Sequence, residues 1–279
     1  MTENKSSRTL VNLLGIPSLL AIIFAGDTYS DLPVFSVFIM VVLYLGAREI
    51  TTLSKGNGGR PVILLLLLFL AILQIDRHPI INWDIPIHLL MVGITITAMT
   101  WELFRREAKP LLNITMLVFA FVWLGLMLGA LSSLRNLPEI GFKITFALFL
   151  SVWICDTAAF FFGSKFGKSK ILPEVSPKKT WVGTIAGLIS SLVLLTGLHH
   201  YGYFNGLIEL KDAVVIALIT GGFGQLGDFA ESLLKREAGL KDSSNILRGH
   251  GGILDRFDSL TFAGPLTLIY CTYFIKVGQ

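Results

Sequence analysis

Long apolar runs, separated by short polar loops, recur along the whole chain and decide what it can fold into. A transmembrane helix needs about 20 mostly apolar residues, and several runs approach that length. Hydrophobic residues make up 53% of the 279 residues and charged residues only 15%, against roughly 25% in an average soluble domain. The sequence therefore predicts an all-α, polytopic membrane protein and excludes a soluble enzyme, a disordered chain and a disulfide scaffold. About nine transmembrane helices are expected, at Leu10–Ala25, Leu32–Gly46, Val62–Ile75, Ile85–Thr100, Leu111–Leu131, Ile144–Phe162, Trp181–Leu198, Ala213–Gly227 and Leu260–Ile275.

Basic residues are distributed unevenly among the loops between these nine runs. The N-terminal segment and every second loop hold 18 of the 23 Lys and Arg residues. Cytoplasmic loops of membrane proteins carry an excess of Lys and Arg, so we expect a cytoplasmic N-terminus and a C-terminus on the opposite side. The same rule accounts for the net charge of +4, and no nucleic-acid partner is expected.

The chain shows no internal repeat, low-complexity tract or separate hydrophilic region. We therefore predict a single membrane-embedded domain over 1–279, with its catalytic motifs concentrated in 151–259. Cys155 and Cys271 lie inside apolar runs, without the spacing of a metal site or a disulfide framework. The first run is interpreted as a retained span, and a bacterial inner membrane is the expected location.

The stretch from 229 to 259 carries ten charges, five of each sign, at about twice the charge density of the whole chain. Asp228 and Glu231 are three residues apart, as are Asp255 and Asp258, and on a helix this spacing places each pair on one face. Mg²⁺ is typically bound by one or two carboxylates together with water and substrate phosphates. The acidic pairs are thus candidates for holding a divalent ion. A loop neutralised by internal salt bridges is the alternative reading.

Groups that bind phosphate lie among these acids. They include the basic residues Lys235, Arg236, Lys241 and Arg256 and the glycines that flank His250. Glycine lets a backbone approach an anion closely and present its N–H groups. The plainer alternatives are that His250 orients a turn and that the glycines end a helix before the last apolar run.

Two features earlier in the chain are predicted to lie on the cytoplasmic side of the membrane, as the acidic pairs are. Asp156 lies within an apolar run, where an ionisable residue is a functional candidate by default. The segment Ser176–Trp181 opens the next run, and its alternative role is an interfacial anchor. Both lie at predicted cytoplasmic helix ends, as do Asp228 and Asp255. Such a site suits a reaction between a Mg²⁺-bound phosphate compound and a lipid head group, whereas a transporter more often places polar groups near the bilayer midplane.

One pattern in this region is specific enough to carry a resemblance. Ser232-x-x-Lys235-Arg236-x₄-Lys241-Asp242, followed by His250-Gly-Gly-x-x-Asp255-Arg256-x-Asp258, resembles the phosphatidate cytidylyltransferases, or CDP-diglyceride synthases. The Asp156-Thr-Ala-Ala-Phe and Ser176-Pro-Lys-Lys-Thr-Trp segments resemble upstream elements of that family. Arg248 and Val182 stand where the family commonly has Pro and Glu.

The resemblance implies a membrane enzyme that converts CTP and phosphatidate to CDP-diacylglycerol and pyrophosphate in phospholipid biosynthesis. It implies Mg²⁺ as cofactor, with K⁺ as a second ion in some members, and a homodimer. The metal ligands it implies are Asp228 and Asp255, with Glu231 and Asp258 as supporting acids. The implied catalytic set is Asp228, Asp255, Asp258, Lys235, Arg236, Lys241, Asp242, His250 and Arg256. The implied substrate-binding set is Ser176, Lys178, Lys179, Thr180, Asp156, Ser232, Gly251 and Gly252.

Three alternatives stay open at this point. A CTP-dependent polyprenol kinase and an ether-lipid cytidylyltransferase would use the same nucleotide with another lipid. An ion-coupled transporter would use Asp156 for coupling instead of chemistry.

Overall fold

A computed structural model of the chain describes residues 18–24, 34–78, 81, 83–244 and 251–275. Most of these residues are helical, and none of them belongs to a β-strand; an isolated antiparallel bridge joins Lys170 and Thr180. The predicted all-α class is confirmed. In chain order the helices are α1 (Val34–Gly56), α2 (Ile63–Asp76), α3 (Ile87–Arg105), α4 (Pro110–Ala120), α5 (Ala130–Arg135), α6 (Gly141–Phe166), α7 (Trp181–His200), α8 (Leu210–Leu218), α9 (Gly224–Glu237) and α10 (Leu254–Phe274).

Two π-helical segments lengthen the shorter helices into membrane-sized ones. Phe121–Leu128 lies between α4 and α5, and Ile219–Phe223 lies between α8 and α9. As a result, Pro110–Arg135 and Leu210–Glu237 are each long enough to cross a bilayer. Such π-helical turns occur often at functional sites, and the second one leads directly into the helix that carries Asp228.

Six helices in the described part of the chain are long and apolar enough to span a membrane, so the expected count of about nine is not confirmed. The expected span Val62–Ile75 corresponds to α2, which has only 14 residues. The expected span Leu260–Ile275 falls largely in α10, whose start carries three charged residues. Most of the expected span Leu10–Ala25 lies outside the described residues.

Large apolar side chains cover the outer surfaces of these helices. Phe104 of α3 is 77% exposed and Val193 of α7 is 67% exposed. Soluble monomers rarely expose such continuous apolar surface, whereas a bilayer solvates it. Together with the six long apolar helices, this surface shows that the chain is an integral membrane protein.

The described chain divides into two compact units, with the divisions falling inside α9 and α10. Unit 1 comprises Met1–Asn136 and Leu234–Arg256, and unit 2 comprises Leu137–Leu233 and Phe257–Gln279. The core of unit 1 is built around large buried side chains such as Phe35 and Phe121. In unit 2, α6 and α7 pack together, and Phe149 of α6 is fully buried. The division into compact units does not test whether 1–279 is a single domain, which stays a prediction.

Candidate active site

Unit 2 contains a cavity of about 420 Å³ that gathers several of the predicted site residues. Asp156 reaches it from α6, Asp228 reaches it from α9, and the segment before α7 supplies four basic or polar side chains. Five predicted site residues therefore line one cavity, and their roles in a reaction stay predictions: Asp156, Lys178, Lys179, Thr180 and Asp228. The polar and charged lining residues are Asp156, Ser164, Lys170, Lys178, Lys179, Thr180, Thr184, Gln225 and Asp228.

The segment 167–180 folds back on itself and so brings its lysines to the cavity. The Trp181 N–H donates to the Ser169 carbonyl oxygen at 3.2 Å, and the Ile171 N–H donates to the Lys179 carbonyl oxygen at 3.4 Å. These bonds flank the Lys170–Thr180 bridge. Because the two ends of the segment are paired, Lys170, Lys178 and Lys179 all line one cavity.

Close helix packing holds the cavity walls together. Thr180 begins α7 as its N-cap, and its hydroxyl oxygen accepts the Gly183 N–H at 3.2 Å. A Cβ atom on Gly183 would lie 2.6 Å from the Ala159 carbonyl oxygen of α6. Only glycine permits this approach, so the motif residue Thr180 is placed against α6 by the backbone itself.

Lys179 and Asp228 form an ion pair inside the cavity. The Lys179 Nζ atom also lies 4.3 Å from the centre of the Phe229 ring, where a cation is attracted by the ring face. Both side chains of the pair are about one quarter exposed, at 25% and 26%. Lys179 is thus held at the cavity surface, where its three donors can be redirected to a phosphate.

Four carboxylates of unit 2 form a group that we call the acidic cluster: Asp156, Asp228, Glu231 and Asp258. Asp258 is near enough to the other three for their charges to interact. The contact that sets this proximity is made at Gly227, where a Cβ would lie 2.5 Å from the Asp258 carbonyl oxygen. The hydroxyl of Ser232 donates to Asp228 at 3.3 Å, and Glu231 is only 1% exposed.

The acidic cluster has the ligand chemistry of a magnesium site without a complete cage. In the described ranges, no three His, Cys, Asp or Glu side chains are grouped closely enough to hold a metal ion by themselves. Mg²⁺ usually takes one or two carboxylates and completes its shell with water and phosphate oxygens. The carboxylates of the cluster fit that mode of binding, in which a phosphate substrate supplies part of the coordination.

Unit 1 contains a second group of predicted site residues, centred on Asp255. The Lys235 Nζ atom donates to Asp255 Oδ1 at 2.5 Å. Asp255 Oδ2 accepts the Gly252 N–H at 2.6 Å and both the N–H and hydroxyl of Ser243 at 3.0 Å. Gly251 adopts a φ of +76°, in the left-handed region that favours glycine. Lys235, Gly251 and Gly252 thus all lie around the Asp255 carboxylate.

The ionisation of Asp255 follows from these partners. Burial by itself would raise its pKa, but the hydrogen bonds from Lys235, Gly252 and Ser243 outweigh burial and lower the pKa below its ordinary value. Asp255 is therefore an anion at neutral pH. Its role as a metal ligand stays a prediction, since both of its oxygens are bound by protein donors here.

The remaining predicted residues lie at the edges of these groups. Arg236 is exposed and donates to the Leu240 carbonyl oxygen at 2.9 Å. Lys241, Asp242 and Arg256 are exposed on unit 1, and Ser176 lies in the turn where its carbonyl oxygen accepts the Lys179 N–H at 3.3 Å. His250 lies outside the described residues.

Several residues near these sites were not predicted from the sequence, among them Gln225, Glu49 and Ser243. Gln225 lines the cavity, where its amide donates to the Thr184 carbonyl oxygen at 3.1 Å. Glu49 and Ser243 belong to the Asp255 group. Glu49 was missed because the expected span ended at Gly46, whereas α1 continues to Gly56. With the correct helix end, Glu49 is a buried acid in a membrane-sized helix, the same signal that identified Asp156.

Comparison with known proteins gives consistent results across the chain. A model of the cytidylyltransferase family matches residues 6–274. The phosphatidate cytidylyltransferase of Staphylococcus saprophyticus is 31% identical over 261 residues, which cover 93% of this chain and 96% of that protein. The Bacillus subtilis enzyme of the same name is 34% identical over 210 residues, covering 73% of this chain and 74% of that protein. The one from Haemophilus influenzae is 38% identical over 191 residues, covering 66% of this chain and 63% of that protein.

Proposed function

Because the chain belongs to the cytidylyltransferase family, we propose that it is a phosphatidate cytidylyltransferase that makes CDP-diacylglycerol for phospholipid synthesis. An oxygen of the phosphatidate phosphate attacks the α-phosphorus of CTP, and pyrophosphate leaves. The observation that carries the proposal is the cavity of unit 2, where Lys178 and Lys179 line the same space as Asp156 of α6 and Asp228 of α9. Relatives with this printed name match from two thirds to nearly all of the chain.

The residues of the cavity suit a reaction in which no covalent enzyme intermediate is needed. Phosphoryl and nucleotidyl transfers depend on positioning and on neutralising charge. Lys178 and Lys179 supply ammonium donors for phosphate oxygens, and Lys179 exchanges its bond to Asp228 for one to substrate. Thr180 contributes by fixing the start of α7, since its side chain is 2% exposed and bound to the helix backbone.

The acidic cluster is proposed to hold Mg²⁺ through Asp228, supported by Glu231 and Asp258. When bound, the ion would neutralise part of the charge on the nucleotide phosphates. Asp255 stays a second predicted ligand, and K⁺ stays a predicted second ion. Asp156 lines the same cavity as Lys179 and adds negative charge to the acidic cluster.

Removal of divalent ions is expected to stop turnover. The acids would then repel the nucleotide phosphates in place of binding them through a shared cation. Purified protein treated with excess chelator should lose activity and regain it on addition of Mg²⁺, with a matching loss and return of CTP binding by equilibrium dialysis. Full turnover and unchanged CTP binding in excess chelator would contradict the proposed metal dependence.

The reaction is tested by its products. Purified protein supplied with CTP, phosphatidate and Mg²⁺ should release pyrophosphate and form CDP-lipid in equal amounts. Lipid phosphate together with CDP would identify a polyprenol-type kinase instead. CTP-dependent product formed only with an ether-lipid acceptor would identify the third candidate reaction. Flux into sealed vesicles without CTP would identify a transporter.

The proposal also covers the membrane location of the protein and its oligomeric state. We propose that the cavity opens on the cytoplasmic side of a bacterial inner membrane, since CTP is cytosolic and Lys165, Lys168, Lys170, Lys178 and Lys179 lie beside it in sequence. A homodimer is also proposed.

A further inference from the structure

Glu49 is a buried carboxylate whose two oxygens are fully engaged by one loop. It is 1% exposed and lies in the last two turns of α1, within unit 1. Its Oε1 atom accepts the Ser244 hydroxyl at 2.6 Å and the Ile253 N–H at 2.8 Å. Its Oε2 atom accepts the Ser243 hydroxyl at 2.8 Å and the Leu254 N–H at 2.9 Å. A single acid thus binds two parts of the connection between α9 and α10, at Ser243–Ser244 and at Ile253–Leu254.

Two of these bonds pair backbone N–H groups at the start of α10. The N–H groups of the first residues of a helix have no partner within the helix. Leu254 is the first residue of α10, and its N–H and that of Ile253 point at Glu49. A negative charge at this position is also favoured by the helix dipole. Glu49 therefore acts as an N-cap supplied from a different helix, about two hundred residues away in sequence.

The same contacts reach Asp255, the next residue along α10. The Ser243 hydroxyl lies 2.8 Å from Glu49 Oε2 and 3.0 Å from Asp255 Oδ2, so one hydroxyl proton is shared by two carboxylates. Gly252, whose N–H donates to Asp255, is packed so closely that a Cβ there would lie 2.5 Å from Glu49 Oε2. Every donor to Asp255 Oδ2 is thus held in a segment that Glu49 binds.

We propose that Glu49 is a positioning residue that orients Asp255 by fixing Ser243, Gly252 and the first turn of α10. The inference rests on the proposed function, in which Asp255 is a predicted metal ligand. Glu49 itself touches no reacting group. Its effect reaches the reaction through the place and orientation of the Asp255 carboxylate.

The variant Glu49→Gln tests this role with nearly unchanged volume. One oxygen becomes an NH₂ group, which faces a backbone N–H of Ile253 or Leu254 and cannot accept it. Since a displacement of about 1 Å can cost on the order of 100-fold in rate, we expect kcat to fall by about 10- to 100-fold with little change in the KM for CTP. Hydrogen exchange should show faster exchange of the amides of residues 251–255, while α2 amides keep their protection.

Glu102→Gln is the matched control. Glu102 is also a buried acid of unit 1, 7% exposed, and it binds Asn113 and Arg105 instead of the loop. It should keep wild-type kcat and wild-type exchange at 251–255, whatever its thermal stability. If Glu49→Gln does not yield folded protein, Ser243→Ala carries the test, with an expected loss in kcat of about 5-fold for one hydrogen bond.

Two results would overturn the inference. One is wild-type kcat in Glu49→Gln; the other is a loss of kcat with amides of 251–255 as protected as in the wild-type protein. If the wild-type protein transfers no cytidylyl group, the proposed function fails by itself. The exchange comparison then still decides whether Glu49 holds the start of α10, and unchanged protection there overturns the inference.

Discussion

Replacing Asp255 with Asn is expected to reduce turnover by at least about 100-fold, the usual effect of removing one preorganised charged group, while the protein stays helical. The Asp255 carboxylate binds Lys235, Ser243 and Gly252 at once. An Asn side chain accepts through only one oxygen and removes the negative charge from beside Lys235. Steady-state kinetics on protein that elutes as one species measures the loss directly.

Lost turnover in this variant must be separated from lost stability. Lys235 and Asp255 have side chains only 8% and 12% exposed, and breaking a buried pair can cost about 3–5 kcal/mol because one charge is left uncompensated. The double variant Lys235→Gln/Asp255→Asn removes both charges. It should regain most of the thermal stability that the single variant loses but none of its turnover. Turnover that returned together with stability would contradict a chemical role for Asp255.

Replacing Lys179 with Met is expected to lower kcat/KM for CTP by about 10- to 100-fold. A hydrogen bond to a charged group contributes about 1.5–3 kcal/mol, and each 1.4 kcal/mol corresponds to about a factor of ten. Met keeps most of the side-chain volume that rests on Phe229. The loss is therefore expected in catalysis and CTP affinity, and the melting temperature should change little.

Lys168→Met is the control for this experiment. Lys168 is exposed in the same basic segment but does not belong to the cavity lining. It should retain wild-type kcat/KM. Equal losses in the two variants would show that the segment acts through its general positive charge, and the specific role of Lys179 would be wrong.

The fold class could be predicted from the sequence because long apolar runs in a chain with so few charged residues form membrane-spanning helices. The number of spans could not. α2 begins and ends close to the expected Val62 and Ile75, yet its 14 residues are fewer than a straight crossing needs. The continuous helices Pro110–Arg135 and Leu210–Glu237 also run past the expected ends at Leu131 and Gly227. Hydropathy records where a helix is apolar and carries little information about its exact ends.

The candidate site residues that could be predicted are those whose residue type is unusual for their place in the sequence. Asp156 was identified as an acid in an apolar run, and the cavity brings it together with Lys179 and Asp228. Glu49 could not be identified in this way, because the expected span ended three residues before it, at Gly46. With that helix end Glu49 is an acid in a loop, whereas in the longer α1 it is a buried acid in a helix. Its partners Ser243 and Leu254 are about two hundred residues distant. Pairings of that kind are set by tertiary packing and have no local pattern.

The position of a label in CTP is the most direct test of cytidylyl transfer to phosphatidate. Two parallel reactions would contain purified protein, phosphatidate and Mg²⁺, one with CTP radiolabelled at the α-phosphate and one with CTP labelled at the γ-phosphate. Cytidylyl transfer should carry the α-label into the chloroform-extractable lipid and release the γ-label as pyrophosphate. Entry of the γ-label into lipid, with the α-label remaining in CDP, would contradict it and identify a lipid kinase.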